Sequence, residues 1–267
     1  MQAHGGYPVP PHEDRSKLTF SRVCRNANSL ASENIGPLVL ISFVVAAIPR
    51  LAITIGTLLA ISALSKGPAP IEWHYVLLLI ISLTLYHLLP SYLLVGAIGE
   101  QVDDAMAGKP IRILPALGRA VFHLPAMAFS ALAIGLTIYL SLPLLLIPAF
   151  ALVPAMLLAP AASIIRKQGL RFGLAEAATL ATGRRWGIIL GVGAWFGAVS
   201  MIGQVTEYLL KTAITFGATP SFALLIAPIL LLLSLEAVAG ACVSIALYTE
   251  ARKVAEYRPM LDRIADA

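Results

Sequence analysis

Charge is what this sequence has least of. Asp, Glu, Lys and Arg make up 12% of its 267 residues, about half the share that keeps a soluble domain wetted. That shortage argues against a water-soluble fold. Cysteine is nearly absent too: only Cys24 and Cys242 occur. Neither has a partner at metal-ligand spacing, and both fall toward the predicted cytoplasmic side, so no disulfide and no structural metal is expected. There is no Walker loop, no HExxH, no GxSxG and no Cys/His cluster, and the five histidines are scattered. No enzyme, cofactor or metal is therefore indicated. About 35 largely polar residues precede the first apolar run, so no cleavable signal peptide is expected.

Long apolar runs are what the chain has instead: 58% of its residues are hydrophobic. A spanning helix needs about 20 apolar residues, and six runs meet that length. They cover about Pro37–Leu64, Trp73–Ile98, Phe122–Leu140, Leu142–Ile165, Trp186–Leu210 and Ser221–Tyr248. The third and fourth form one apolar stretch. A single helix through it would be roughly 66 Å long, twice the bilayer core. The break is expected near Ser141-Leu142-Pro143, because proline disfavours helix at the residue before it. The predicted fold is all-α, a polytopic bundle of six transmembrane helices.

The cations lie in four segments. Arg15, Lys17, Arg22 and Arg25 are in the first, and Lys109, Arg112 and Arg119 in the second. Arg166, Lys167, Arg171, Arg184 and Arg185 are in the third, and Arg252, Lys253, Arg258 and Arg263 in the last. Outside them stand only Arg50, Lys66 and Lys211. Cytoplasmic loops collect Lys and Arg, so six spans with both termini inside predict a multi-pass protein of the bacterial cytoplasmic (inner) membrane. Trp73, Tyr75, Tyr139 and Tyr208 at outer ends, with Trp186 and Tyr248 at inner ends, read as interface anchors. The net charge of +5 sits beside apolar runs, which points to anionic lipid headgroups as partners and not to nucleic acid.

Three segments on the basic side read as amphipathic helices lying on the membrane. The first, 19–32, has Phe20, Val23, Cys24, Ala27, Leu30 and Ala31 on one face, ending before Gly36-Pro37. The second, 111–123, has Ile113, Leu114, Leu117, Ala120 and Val121 after Gly108-Lys109-Pro110. The third, 174–183, has Leu174, Ala177, Ala178 and Ala181, closing at Gly183. Two spans follow each, so the chain reads as three copies of one unit, although identity between copies is weak. Residues 1–15 are too polar to fold and read as a disordered tail, 16–255 as the membrane domain and 256–267 as a second tail.

Ionisable groups inside spans are the candidate site, because each is costly unless paired or hydrated. Counting from the inner ends puts Arg50, His87 and Glu236 at depths of roughly 17–20 Å, one level near the midplane. Two readings stand side by side: a structural pair of Arg50 and Glu236 that fixes helix register, or a polar binding pocket or proton relay. Pro49 and Pro90 lie at the same level and permit kinks. Gly187-x-x-x-Gly191 and Gly193-x-x-x-Gly197 on the fifth span, with Ala131-x-x-x-Gly135 on the third, allow close backbone approach. Packing within the chain is the plain reading of these, and a homo-oligomer seam the alternative. Gln204, Glu207 and Lys211 read as a solvated helix end. Arg166, Lys167, Arg171, Arg184 and Arg185 read as an anionic-lipid contact.

Several short motifs carry a resemblance: Pro148 through Pro160, then Gly169, then Leu174-Ala-Glu-Ala-Ala-Thr-Leu-Ala-Thr-Gly-Arg-Arg-Trp186. Tyr248-Thr-Glu-Ala-Arg252 and Ala105-Met-Ala-Gly-Lys-Pro110 belong to the same set. With these the chain resembles a family of bacterial multi-span proteins similar to the membrane domain attached to some glycerophosphoryl diester phosphodiesterases. Arg166 stands where that family tends to place an acid, and the catalytic barrel has no counterpart here. The resemblance implies six spans, interfacial helices and the inner membrane, and no catalytic residue. The expected function is a non-enzymatic accessory or scaffold protein in lipid or envelope processes, of unknown protein partner. A small-solute or lipid transporter using Arg50, His87 and Glu236 is the alternative.

Overall fold

The computed structural model describes residues 18–47, 49–50, 53, 73–107, 109–144, 146–183, 187–188, 191, 205 and 221–265. All regular structure among them is helical. Helix α1 (Phe20–Glu33) buries Val23, Ala27 and Leu30, then stops at Asn34. The chain turns there by 87° into α2 (Ile35–Ser42). A π-helical turn, Phe43–Ala47, continues α2. Its cause is local: Pro49 has no N–H for the carbonyl of Val45, and the helix widens just ahead of it.

Helix α3 (Trp73–Ile98) takes the bounds read from the sequence and contains Pro90. A short α4 (Val102–Met106) follows, then α5 (Ile113–Ser141). Next come α6 (Ile147–Ile165), α7 (Leu170–Ala181) and α8 (Ser221–Ala265). Among the described residues four stretches are long and apolar enough to cross a membrane: Val76–Ala105, Ile113–Leu144, Ile147–Ile165 and Leu230–Glu256. The bent pair α1–α2 makes a fifth if it is one broken span. This is a helical architecture compatible with an integral membrane protein.

The α5–α6 break falls where proline was expected to put it. A single 3₁₀ turn, Leu142–Leu144, follows Ser141. Leu146 adopts φ 62° and its N–H returns to the Ser141 carbonyl at 2.8 Å. Helices α3 and α5 run antiparallel in close contact. A Cβ on Gly135 would meet Thr84 Oγ1 at 3.0 Å, and one on Gly96 would meet the His123 Cβ at 3.1 Å. The small residues Ala131 and Gly135 thus serve packing inside the chain. Gly187 and Gly191 lie against Leu18 and Phe20.

Three sequence expectations need correction. The amphipathic segment 111–123 is not a separate surface helix: α5 runs unbroken from Ile113 to Ser141, because Gly118 and Pro125 are absorbed without a turn. Its buried residues there are Ala116 and Ala120, while Leu114 and Val121 point outward. Tyr248 is no interface anchor, being fully buried. The apolar stripe of α1, read as facing lipid, packs against α8. Outside the described residues lie the tail 1–15, Lys66, Arg184, Arg185, Trp186, Gly193, Gly197, Gln204, Glu207, Tyr208 and Lys211, as do the side chains of Trp73 and Tyr75.

Candidate functional site

The three ionisable groups read at one depth are in contact. Arg50 Nη2 lies 2.7 Å from Glu236 Oε1, and His87 Nδ1 lies 3.2 Å from the same oxygen. Arg50 and Glu236 are each 1% exposed, whereas the His87 side chain is 24% exposed. Two further bonds hold the guanidinium. Its Nε donates to the Tyr86 carbonyl at 3.1 Å and its Nη1 to the Leu233 carbonyl at 2.8 Å.

The Tyr86 carbonyl is available for a reason visible in the chain. Its ordinary helical donor would be the N–H of residue 90, and residue 90 is proline. Arg50 supplies the missing donor from another helix. The same guanidinium sits 5.1 Å from the Tyr86 ring centroid, a cation–π contact, and the His87 ring meets that tyrosine edge-on. Tyr86 and Leu233 were not singled out from sequence. The spacing from Pro90 back to Tyr86 was the available signal for the first.

The hydroxyls nearby turn back on their own helices. Thr84 donates to the Ile80 carbonyl at 2.6 Å, Ser91 to His87 at 3.5 Å and Ser234 to Leu230 at 2.8 Å. Local bonding of this kind leaves them no donor for a ligand. One acceptor stays open: Glu236 Oε2 is buried with no hydrogen-bond donor among the described residues. In chemical terms the arrangement can neutralise one buried cation with one buried anion. It can also fix the His87 tautomer, with Nδ1–H donating to the carboxylate.

A second set of polar contacts lies where the four basic segments gather. Glu250 on α8 accepts from Asn26 at 2.8 Å and Lys253 at 3.0 Å, with Arg22 Nε 3.8 Å away. Glu100, just after α3, pairs with Arg119 at 3.2 Å and stands 4.0 Å from His123 Nε2. Glu176 on α7 accepts from the Tyr248 hydroxyl at 2.8 Å, with Arg166 Nε at 3.5 Å. Asn26, Arg119 and Glu176 are each the seventh residue of α1, α5 and α7. The fourth and eighth residues of those helices are buried in every case: Val23 and Ala27, Ala116 and Ala120, Gly173 and Ala177. The eleventh is Leu30, His123 and Leu180.

Each seventh residue therefore meets a polar partner on, or just after, a neighbouring long helix, and the polarity is reversed once. On α7 the acid is on the amphipathic helix and the cation, Arg166, ends α6. The closest backbone approach is here as well: a Cβ on Gly173 would lie 2.8 Å from the Ser163 nitrogen and 2.9 Å from the Ala159 oxygen. Of the residues read as a lipid contact, Arg166 is tied to Glu176. Lys167 and Arg171 are exposed and pair with no acid among the described residues. Arg184 and Arg185 lie outside those residues.

Among the described residues no group of three or more His, Cys, Asp or Glu gathers as a metal site. Comparison with protein-family models, with curated proteins and with solved structures finds no match to this chain.

Proposed function

We propose that the chain is a non-enzymatic integral protein of the bacterial inner membrane, an accessory or scaffold in lipid or envelope processes. In this reading it has six spans, both termini cytoplasmic and the basic end facing anionic lipid, as the resemblance to the phosphodiesterase-attached membrane domain implies. The common pattern of fourth, seventh and eighth residues in α1, α5 and α7 supports three copies of one unit.

One observation carries the scaffold reading. Arg50 donates to two backbone carbonyls and forms an ion pair with one carboxylate at a buried helix contact, as a register pin does. The alternative, a transporter, draws support from the open Glu236 Oε2 and the part-exposed His87. Proton flux into liposomes holding the purified chain separates the two. The scaffold reading expects none above empty liposomes, and a flux abolished by His87→Gln would replace it with the transport reading. Reporter fusions at Lys109 and Arg184 should report the same side of the membrane.

A further inference from the structure

We infer that the α6–α7 junction binds the phosphate of an anionic phospholipid through Lys167 and Arg171, and that Glu176 limits this binding by holding Arg166 back. The inference rests on the membrane reading above and adds a partner of stated chemistry and a control on it.

The junction differs from its two counterparts in the direction that favours an anion. At the α1–α8 and α3–α5 contacts the residue met on, or just after, the long helix is an acid, Glu250 or Glu100. At α6 it is a cation, Arg166, followed at once by Lys167 and then by Arg171, the second residue of α7. Three positive side chains thus share one corner, with Glu176 as the only acid bonded there among the described residues.

The apolar surroundings supply the other half of a lipid. Phe172 is 67% exposed and Leu174 40% exposed, on the same short helix as Arg171. Cations beside exposed aromatic and aliphatic side chains match a headgroup above and acyl chains beside it. Lys167 is also held at φ 53°, a left-handed conformation that glycine would adopt with less strain. A lysine retained there gives the corner a charge that glycine would not.

The Arg166–Glu176 pair is built to open. Arg166 is 43% exposed on its side chain and the bond is 3.5 Å long, so the pair is weak in water. Glu176 keeps a second donor, the buried Tyr248 hydroxyl at 2.8 Å. A phosphate that draws Arg166 away therefore leaves the carboxylate still bonded. Glu176 acts here as a competitor for the third cation and not as a ligand.

Native mass spectrometry of the full chain, purified with equal amounts of phosphatidylglycerol and phosphatidylcholine, tests the inference. Wild type should retain phosphatidylglycerol preferentially. Lys167→Gln and Arg171→Gln should each lower that preference by about fivefold. Glu176→Gln should raise it, a gain that loss of a purely structural pair does not produce. Lys109→Gln, whose lysine is held by Asp104 at 2.8 Å, should leave it unchanged.

Excess inorganic phosphate should not displace the lipid; displacement would assign the corner to a free anion and overturn the lipid claim. Equal retention by wild type and the Lys167→Gln/Arg171→Gln variant would overturn it as well, as would a loss in Lys109→Gln as large as theirs. Thermal melts of the exposed-site variants check that each is folded, with a Tm within a few degrees of wild type expected. Failure of the membrane reading itself would appear separately, as carbonate extraction of the wild-type chain or reporter fusions on opposite sides.

Discussion

The mid-level cluster and the basic-end clamps use the same chemistry, arginine against carboxylate, under opposite conditions. Around Arg50 and Glu236 both members of the pair are buried, and the carboxylate's one other contact among the described residues, His87, is on the same oxygen and leaves Oε2 open. At the basic end each acid has a second contact: Lys253 for Glu250, His123 for Glu100, Tyr248 for Glu176. One region holds both members of its ion pair out of water, while the other leaves at least one partner of each acid partly exposed. The first should fail abruptly on mutation and the second by degrees.

Breaking the mid-level pair should have the largest effect. Glu236→Gln leaves the Arg50 charge buried without its anion and should lower stability by about 3–5 kcal/mol, read as loss of monodisperse protein and a lower Tm in detergent. The double variant Arg50→Met/Glu236→Leu should recover most of that loss, since a buried pair is often replaced by apolar groups at little cost. A simple exchange, Arg50→Glu with Glu236→Arg, should recover less. A carboxylate at position 50 would face the Tyr86 and Leu233 carbonyls, acceptor against acceptor, where methionine brings no charge.

Gly173→Ala comes next. Its Cβ would meet backbone atoms of α6 that cannot rotate away, and overpacking of that kind costs about 1–3 kcal/mol. The Tm in detergent should fall accordingly. Asn26→Ala removes one of three groups around Glu250 and should cost about 1 kcal/mol. That value would come from the same melts, and a loss as large as that of Glu236→Gln would erase the contrast between the two regions. Smallest of all, Arg252→Gln breaks an exposed pair with Glu256 at 2.7 Å and should move stability by no more than about 0.5 kcal/mol.

Much of the fold was legible because hydropathy and proline are strong local signals. The bounds of α3 and the break after Ser141 follow from them, and residue counting alone puts Arg50, His87 and Glu236 at one depth. What was not legible is which apolar face meets protein and which meets lipid. In 111–123 the face read from sequence holds in part: Ala120 is buried and Ile113 and Leu117 pack against the core, while Leu114 and Val121 are exposed and Ala116 is buried in their stead. Close helix contacts in membranes select small side chains, so hydrophobicity alone does not mark the packed edge of the stripe. The clamps were missed for a related reason. Glu100, Glu176 and Glu250 carry no spacing signal of their own in the sequence, and only placing α1, α5 and α7 side by side shows that each seventh residue has a partner.

The link from Leu142 to Leu146 also bears on how the molecule is made. Two arms this apolar, joined by a stretch too brief to hold a soluble segment, would enter a bilayer together if the chain is the membrane protein proposed above. On that reading, a stop codon or a folded tag placed between Ser141 and Ile147 is expected to strand α5 alone.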